Sequence, residues 1–170
     1  EGSPRYMALY EAAAMDVLAT GAYRDQLANP TPWTRHVMAG FRIAQRGICD
    51  VVATAGAGVG GAMACVHFSA PDGFRGWLET QVAALPSRPG ILAAHAWVGD
   101  RAEPASSTSA LAKGAPAQAV EWVLAFEACD VADLDAARAA VLAADPRAAG
   151  ATDIRPYPNY RLLYVMDGDR

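Results

Sequence analysis

The chain has 170 residues, of which 53% are hydrophobic and 19% are charged, and this composition predicts one well-packed domain and excludes a largely disordered chain. The formal net charge of −4 and the scattered Lys and Arg residues argue against nucleic acid or an anionic membrane as a partner. The three cysteines form no C-x-x-C pair, which fits free thiols in a reducing compartment better than a disulfide framework. No signal peptide or apolar run of membrane-spanning length is visible, so the expected location is the cytoplasm.

The N-terminal part of the chain contains a predicted strand, a predicted helix and a less regular segment. Residues 5–12, RYMALYEA, alternate between two sets of side chains, which is the period of a β-strand. Residues 13–29 are rich in Ala and Leu at helical spacing and stop at Pro30, a strong helix terminator. The stretch RHVMAGFRIAQR, residues 35–46, favours a strand or an irregular extended segment.

A Gly-rich stretch lies between two β-rich runs in the middle of the chain. The runs ICDVVATA (48–55) and AMACVHFS (62–69) flank GAGVGG (56–61), and this arrangement predicts a β-hairpin. A helix is expected over residues 72–85, because the helical pattern ends before Pro86.

The second half of the chain predicts further strands and one more helix. A strand is expected over residues 90–99, and residues 100–118, rich in Ala, Ser and Pro, form a predicted surface insertion. A strand, a helix and a strand then follow over residues 119–128, 130–144 and 160–167. The predicted order is therefore β-α-β-β-α-β followed by β-α-β.

One short sequence pattern occurs more than once in the chain. YMALYEA at residues 6–12 returns as WVLAFEA at residues 122–128, and a third partial copy begins with ACVHFSAPDGF at Ala64. Reuse of a split β-α-β unit predicts an α+β, ferredoxin-like plan, in which helices cover one face of an antiparallel sheet. The predicted organisation is a βαββαβ unit, a flexible insertion and an additional βαβ half-unit packed on the same core, at residues 5–99, 100–118 and 119–168.

The start YMALYEA, the connector PTPWTRH and the strand GG-x-M-x-C-V-H-F resemble the dimeric α/β-barrel superfamily, and within it the EthD-like, ferredoxin-like branch. The resemblance covers most of the chain apart from residues 100–118. It implies antiparallel sheets that pack as a barrel with helices outside. The chain departs from the family in having one and a half units, so the barrel closes either within one chain or across a homodimer. A homodimer is expected, because the half-unit leaves an edge strand unpaired.

The alternation along the predicted strands separates two sets of side chains. The apolar set is expected beneath the helices and consists of Tyr6, Ala8, Tyr10, Ala64, Val66, Phe68, Trp122, Leu124 and Phe126. The mixed set is expected to line a cavity and consists of Met7, Leu9, Glu11, Met63, Cys65, His67, Ser69, Glu121, Val123, Ala125 and Glu127. A one-residue error in register would exchange the two sets.

Histidines are the candidate catalytic residues, because a neutral imidazole in an apolar cavity takes or gives a proton near neutral pH. His67 is the first choice because it points into the predicted cavity. His95 is the second, and it shares a strand face with Trp97. His36 is the third, and it follows Trp33 in the sequence.

The candidate substrate-binding residues are Arg42, Trp97, Glu11 and Trp33. Arg42 or Arg35 offers a forked guanidinium donor that can pair with a substrate carboxylate or enolate, and Arg42 can polarise a carbonyl group; a surface salt bridge is the alternative for either. A carboxylate, either Glu11 or Glu127, can orient a catalytic imidazole, although capping of the following helix is the alternative for both. A phenol from one of the tyrosines near the C-terminus is a further candidate donor.

Two other features of the sequence, a Gly-rich motif and the spacing of the histidines, do not predict a cofactor or metal site. GAGVGG satisfies G-x-G-x-x-G, but a dinucleotide site requires a helix directly afterwards, and a β-rich run follows instead. The three histidines are about thirty residues apart and form no metal-ligand spacing. We therefore expect no organic cofactor and no metal.

The predicted function is a cofactor-independent enzyme of the lyase or isomerase type that binds an apolar, aromatic or polyketide-like molecule in the barrel. Members of the resembled superfamily catalyse isomerisation, cyclisation, dehydration, decarboxylation and cofactor-free oxygenation, which all need a positioned acid or base. One alternative is an EthD-like ligand-binding or accessory protein of a catabolic pathway. Another is an enzyme that holds a metal, or haem through a single histidine.

Overall fold

The computed structural model describes residues 5–14, 17, 20–40, 47–100 and 120–166. These residues form four α-helices and six β-strands, and a short 3₁₀ helix stands on each side of the third α-helix. In chain order the elements are α1 (Gly21–Ala28), α2 (Pro32–Ala39), β1 (Cys49–Gly56), β2 (Ala62–Ser69), α3 (Arg75–Ala84), β3 (Ile91–Gly99), β4 (Trp122–Ala128), α4 (Val131–Ala143), β5 (Asp153–Pro156) and β6 (Tyr160–Arg161).

The strands form one antiparallel sheet in the order β1-β3-β4-β2-β5, and β6 also pairs with β2. The elements β2-α3-β3-β4-α4-β5 constitute a split βαββαβ unit, with β1 added at the edge beside β3. The prediction of an α+β, ferredoxin-like fold is therefore confirmed. The unit runs from Ala62 to Pro156. The division into domains made from the sequence, and the closure of a barrel against another sheet, stay predictions.

β1 and β2 do not form the predicted hairpin, because β3 and β4 lie between them in the sheet. The Gly-rich stretch is a crossover that spans roughly 14 Å, a distance within reach of six extended residues. Glycine is required where this loop passes the ends of the strands. A Cβ at Gly56 would overlap the carbonyl oxygen of Leu92, and a Cβ at Gly60 would lie 2.8 Å from the backbone of Ala128. The glycines indicate close backbone passage and do not specify which strands pair.

The strand predicted at residues 5–12 is wrong, because this segment has no regular secondary structure. Tyr6 and Tyr10 are 72% and 92% exposed instead of lying beneath helices. An alternating pattern forms a strand only where a neighbouring strand accepts its backbone hydrogen bonds, and no described strand pairs with this segment.

The helix predicted over residues 13–29 is observed only as α1. The Thr20 hydroxyl caps it by accepting a hydrogen bond from the backbone N–H of Tyr23, and the helix stops before Asn29 as expected. Residues 15, 16, 18 and 19 lie outside the described part of the chain.

The extended segment expected over residues 35–46 is wrong for its first half, which belongs to α2. The Thr31 side chain accepts a hydrogen bond from the backbone N–H of Thr34, and Pro32 occupies the first turn. Both are signals for a helix start, and they precede the residues on which the extended prediction was based. Residues 41–46 lie outside the described part of the chain.

Near the end of the described chain, the last predicted strand is shorter than expected, and an additional strand precedes it. Of the strand expected over residues 160–167, only Tyr160–Arg161 form β6. The sequence did not predict β5, whose four residues include Pro156 and pair with the outer edge of β2. The predicted insertion at residues 100–118 lies outside the described residues, apart from Asp100.

The helices α3 and α4 cover one face of the sheet. The largest fully buried side chains on this helix-covered side are Val66, Phe68, Phe74, Leu78, Val82, Leu85, Leu124, Phe126, Leu134 and Val141. Cys65, Val123 and Ala125 form a separate buried cluster on the other face. The predicted alternation is therefore confirmed for β2 and β4. We call the second face the histidine face, because His67 and His95 belong to it.

In the described part of the chain, no helix is both long enough and apolar enough to cross a membrane.

Candidate active site on the histidine face

Two rows of side chains cross the histidine face from strand to strand. In the first row Thr54 on β1 stands opposite His95 on β3, which stands opposite Ala125 on β4. In the second row Trp97 and His67 flank Val123 of β4. Residues that pair across strands project from the same face of a sheet, so both histidines look away from α3 and α4.

His95 is the centre of a hydrogen-bonded chain. Its Nδ1 lies 3.1 Å from the Thr54 hydroxyl oxygen, and its Nε2 lies 3.3 Å from Oε1 of Glu127. The other oxygen of Glu127 accepts a 2.6 Å hydrogen bond from the backbone N–H of Gly60. The imidazole and carboxylate side chains are only 20% and 13% exposed. Three strands and the crossover loop therefore hold one imidazole in place.

The charge of Glu127 determines which tautomer His95 adopts. The hydrogen bond from His95 lowers the pKa of this carboxyl group, partial burial raises it, and the Gly60 N–H lowers it further, with a net decrease from the ordinary value of 4.5. An ionised carboxylate only accepts hydrogen bonds, so the Nε2 of a neutral His95 carries the proton. Its Nδ1 is then a lone-pair acceptor for the Thr54 hydroxyl, and the ring is arranged as a base.

His67 has a different environment from His95. Its ring packs on Tyr157 with a centroid separation of 4.3 Å, and its buried Nδ1 has no hydrogen-bond partner among the described residues. Burial, assisted by the positive charge of Arg155, lowers the pKa of His67 from 6.5 to about 4. His67 is therefore neutral near pH 7 and can make a hydrogen bond without carrying charge.

His67 lines a cavity of about 140 Å³ beside the second row. The lining residues are Tyr6, Met7, Ala8, Gly47, Cys65, His67, Val120, Tyr157 and Tyr160. An apolar cavity of about 150 Å³ is large enough for a benzene ring. The Cys65 thiol lies 3.9 Å from the Met7 sulfur, and burial raises its pKa to about 12, so it remains protonated. The cavity thus offers aromatic and sulfur surfaces with a few polar atoms.

The two histidines stand apart on the face and have different neighbours. They are two strands apart across the sheet and offset by two residues along it, which gives a Cα separation of roughly 12 Å. Small side chains, Val123 and Ala125, occupy the sheet between them.

The structure unites some of the residues expected from the sequence and separates others. Trp97 stacks on His95 with ring centroids 6.2 Å apart, so these two lie together as expected. His36 and the 74% exposed Trp33 lie on α2 and not on the predicted strand, and Glu11 is exposed on the irregular segment. Arg42 lies outside the described residues.

Three residues of this hydrogen-bonded chain have a weak signal or none in the sequence. The sequence leaves Glu127 open as an orienting carboxylate or a helix cap, and the structure shows that Asp130 caps α4 instead. No sequence pattern marks Thr54, because it meets His95 only through the pairing of β1 with β3. The sequence indicates only a turn at Gly60, and the run of glycines at residues 56–61 is the available signal for its close backbone contact.

Within the described residues, no three His, Cys, Asp or Glu side chains converge as a set of metal ligands.

No protein-family model and no curated protein matches the sequence. A similar solved structure is that of an anthrone oxidase-like protein. The two structures superpose with a TM-score of 0.45 at 17% sequence identity, and the match covers 68% of this chain. The chain spans about half of that protein, 54% of its length.

Proposed function

We propose that the protein is a small-molecule enzyme that moves protons on an apolar, aromatic or polyketide-like substrate without an organic cofactor. The observation that supports this proposal is the His95 imidazole, held between Glu127 and Thr54 on a largely apolar sheet face. A positioned general base or acid contributes roughly 10²- to 10⁴-fold to a reaction rate. Lyase and isomerase reactions on carbonyl compounds depend on such a group.

In the proposed mechanism the base is Nδ1 of His95. A substrate C–H or O–H group displaces the Thr54 hydroxyl from this nitrogen and transfers its proton there. The imidazolium that forms is stabilised by the carboxylate of Glu127, which already accepts the hydrogen bond from Nε2. Gly60 keeps that carboxylate in place during the transfer, because its N–H binds the other carboxylate oxygen. Return of the proton to a different substrate atom completes an isomerisation.

The cavity at His67 is the proposed binding site for the rest of the substrate. One aromatic ring fits its volume, and the faces of His67 and Tyr157 offer a stacking surface. The separation of roughly 12 Å between the histidines favours a substrate with several fused rings, so that one end occupies the cavity while the other reaches His95. In this arrangement His67 binds as a neutral group and His95 performs the proton transfer.

Deuterium exchange tests the proposal without knowledge of the natural substrate. The α-protons of 2-tetralone, an apolar aromatic ketone, are followed by NMR in D₂O with and without protein. We expect the wild-type protein to accelerate exchange and His95→Gln to lose at least about 100-fold of that acceleration. Glu127→Gln, which removes the charge beside His95, is expected to slow the exchange. Glu79→Gln, which removes an exposed carboxylate on α3, is its matched control and keeps the full rate. No acceleration by the wild type, or equal acceleration by His95→Gln, contradicts the proposal.

The cavity also favours a second candidate function, that of an EthD-like ligand-binding or accessory protein. A carrier needs the pocket at His67 and does not need the chain from Thr54 to Glu127. Titration with 2-naphthol, followed by calorimetry, separates the two functions. Binding that weakens in His67→Ala and is unchanged in His95→Gln, with no deuterium exchange, favours the carrier.

The homodimer expected from the sequence belongs to the same proposal. Large apolar side chains stay exposed on both terminal segments, among them Tyr10 at 92%, Leu163 at 77% and Met166 at 81%. Burial of such surface between two copies would stabilise a dimer. Light scattering coupled to gel filtration is expected to give twice the mass of one chain, and a monomer at micromolar concentration contradicts the expectation.

A further inference from the structure

An irregularity in β1 places a hydroxyl group and an apolar side chain side by side on the histidine face. Val51 pairs with Trp97 and Thr54 pairs with His95, with a shift of register between them. In a regular strand, residues three positions apart project from opposite faces. The extra residue is accommodated by the bulge, where Val52 and Ala53 both pack against the helix-covered core. Val51 and Thr54 therefore share the histidine face.

The Thr54 hydroxyl is the solvent-facing end of the chain that runs through His95 to Glu127. Both ring nitrogens of His95 are engaged, one by Thr54 and the other by Glu127. Thr54 is exposed, so its oxygen is accessible to a molecule that lies on this face. A hydroxyl bonded to a base that is in turn oriented by a carboxylate is the arrangement that activates a hydroxyl nucleophile.

We propose that Thr54 is a nucleophile that accepts the acyl group of apolar carboxylic esters. This inference rests on the proposed role of His95 as a base and adds a second activity at the same site. The exposed Val51 and the ring of Trp97, which stacks on His95, form the adjoining apolar surface for the acyl or alcohol part of the ester.

The reaction has two balanced half-steps. Oγ1 of Thr54 forms a bond to the ester carbonyl carbon while its proton passes to Nδ1 of His95. The bond from that carbon to the alcohol oxygen then breaks, and the alcohol leaves with the proton from Nδ1. In the second half, water attacks the threonyl ester and gives a proton to the same nitrogen. The bond from the carbonyl carbon to Oγ1 then breaks, Nδ1 returns the proton to Oγ1, and the carboxylic acid and free Thr54 are released. Water is the only co-reactant.

The edge position of β1 provides donors for the developing oxyanion. Within the described sheet β1 pairs with β3 on one side only. Alternate N–H groups of an edge strand point away from its neighbour and are open to a new acceptor. An ester that approaches Thr54 from this edge meets backbone donors near the carbonyl oxygen.

The test uses p-nitrophenyl acetate with the full chain, followed by release of nitrophenolate and by peptide mass spectrometry. We expect hydrolysis, with one acetyl group on the peptide that contains Thr54 when the reaction is quenched early. Thr54→Ser is expected to keep the reaction, because it retains the hydroxyl. Thr54→Val, which suits a strand, is expected to lose both hydrolysis and acetylation by at least about 100-fold.

Controls distinguish this activity from general surface reactivity. Thr80→Val on α3 removes an exposed hydroxyl that bonds to a helix carbonyl, and it is expected to leave the rate unchanged. His95→Gln is expected to reduce acylation at least about 100-fold, because it removes the base. Hydrolysis that is equal in Thr54→Val and wild type, acetylation only at other residues, or no hydrolysis at all overturns the proposal. Deuterium exchange of 2-tetralone by a protein that hydrolyses no ester refutes the nucleophile alone and leaves the proton-transfer function standing.

Discussion

The two faces of the sheet are built from the same strands and have opposite properties. On the helix-covered face, Phe68, Leu124 and Phe126 are fully buried and packed against α3 and α4. On the histidine face, a small buried cluster is bordered by imidazole, carboxylate and hydroxyl groups. Because successive side chains of a strand point to opposite faces, alternate residues can contribute to the core on one face and to the candidate site on the other. Substitutions on the first face should change unfolding, and those on the second should change pH response and rate.

The largest expected effect is a loss of stability on the helix-covered face. Phe126→Ala removes a fully buried ring and leaves a cavity, so the free energy of unfolding is expected to fall by about 3–5 kcal/mol. Val123→Ala, on the histidine face of the same strand, should cost only about 1–2 kcal/mol. Urea unfolding measures both changes. A loss in Phe126→Ala no larger than that in Val123→Ala would contradict the packing of the Phe126 ring in the helix-covered core.

The second expected effect concerns the pH dependence of stability at His67. Its pKa is about 4 in the folded protein and 6.5 as the ordinary value, so the unfolded chain binds more protons between these limits. Stability therefore decreases as the pH falls from 6.5 to about 4, by up to about 3 kcal/mol. His67→Leu is expected to remove this part of the decrease. Urea unfolding across the same pH range checks the sign, and an unaltered profile in the variant contradicts the assignment.

The third effect tests the contact between the crossover loop and Glu127. In Gly60→Ala the new methyl group would lie 2.8 Å from the backbone of Ala128 and 2.9 Å from Cβ of Glu127, so the loop must move. We expect a loss of about 1–3 kcal/mol in unfolding free energy and slower deuterium exchange of 2-tetralone. A Cβ at Gly73 meets no atom within 4 Å, and Gly73→Ala should stay within about 0.5 kcal/mol of wild type. Equal stability and an equal exchange rate for the two variants would contradict the proposed contribution of the contact between the crossover loop and Glu127.

The smallest expected effect is on the proton-transfer rate when the charge beside His95 is removed. Glu127→Gln keeps the size of the side chain but no longer stabilises an imidazolium. The exchange rate of 2-tetralone is expected to fall about 10- to 100-fold, which corresponds to roughly 1.4–2.7 kcal/mol in the barrier. The variant should also lose the contribution of Glu127 to stability, which is present above pH 4.5 and lost as the pH falls through the lowered pKa. An unchanged exchange rate would mean that Glu127 does not support His95.

The sequence predicted the fold class, and it predicted the two sheet faces in the strands where alternating apolar residues are also buried by the tertiary packing. Val66, Phe68, Leu124 and Phe126 follow a strict alternation in strands with neighbours on both sides, and burial follows directly. The same pattern misled at residues 6–12, because an alternating segment does not specify which backbone it pairs with. For α2, the capping residues Thr31 and Pro32 decided the structure, and the following residues did not.

The candidate site was predicted only in part, because its geometry depends on strand order. His67, His95 and Trp97 were found from their positions in strands, whereas Thr54 meets His95 only because β1 lies beside β3. The bulge in β1 has no signature in the periodicity of the sequence. The ranking of the histidines also changed, because His67 is buried with a lowered pKa, whereas His95 has a partner at each ring nitrogen. Both environments depend on the tertiary structure.

The hydrogen bond from the Gly60 amide to Glu127 has a practical consequence for spectroscopy. A backbone amide that donates to a carboxylate at 2.6 Å has a proton resonance that responds to the charge of that carboxylate. One ¹H–¹⁵N cross-peak thus serves as an intrinsic indicator of the electrostatic state beside His95, readable during a titration or a ligand screen. It requires no substrate, no attached dye and no change to any side chain of the site.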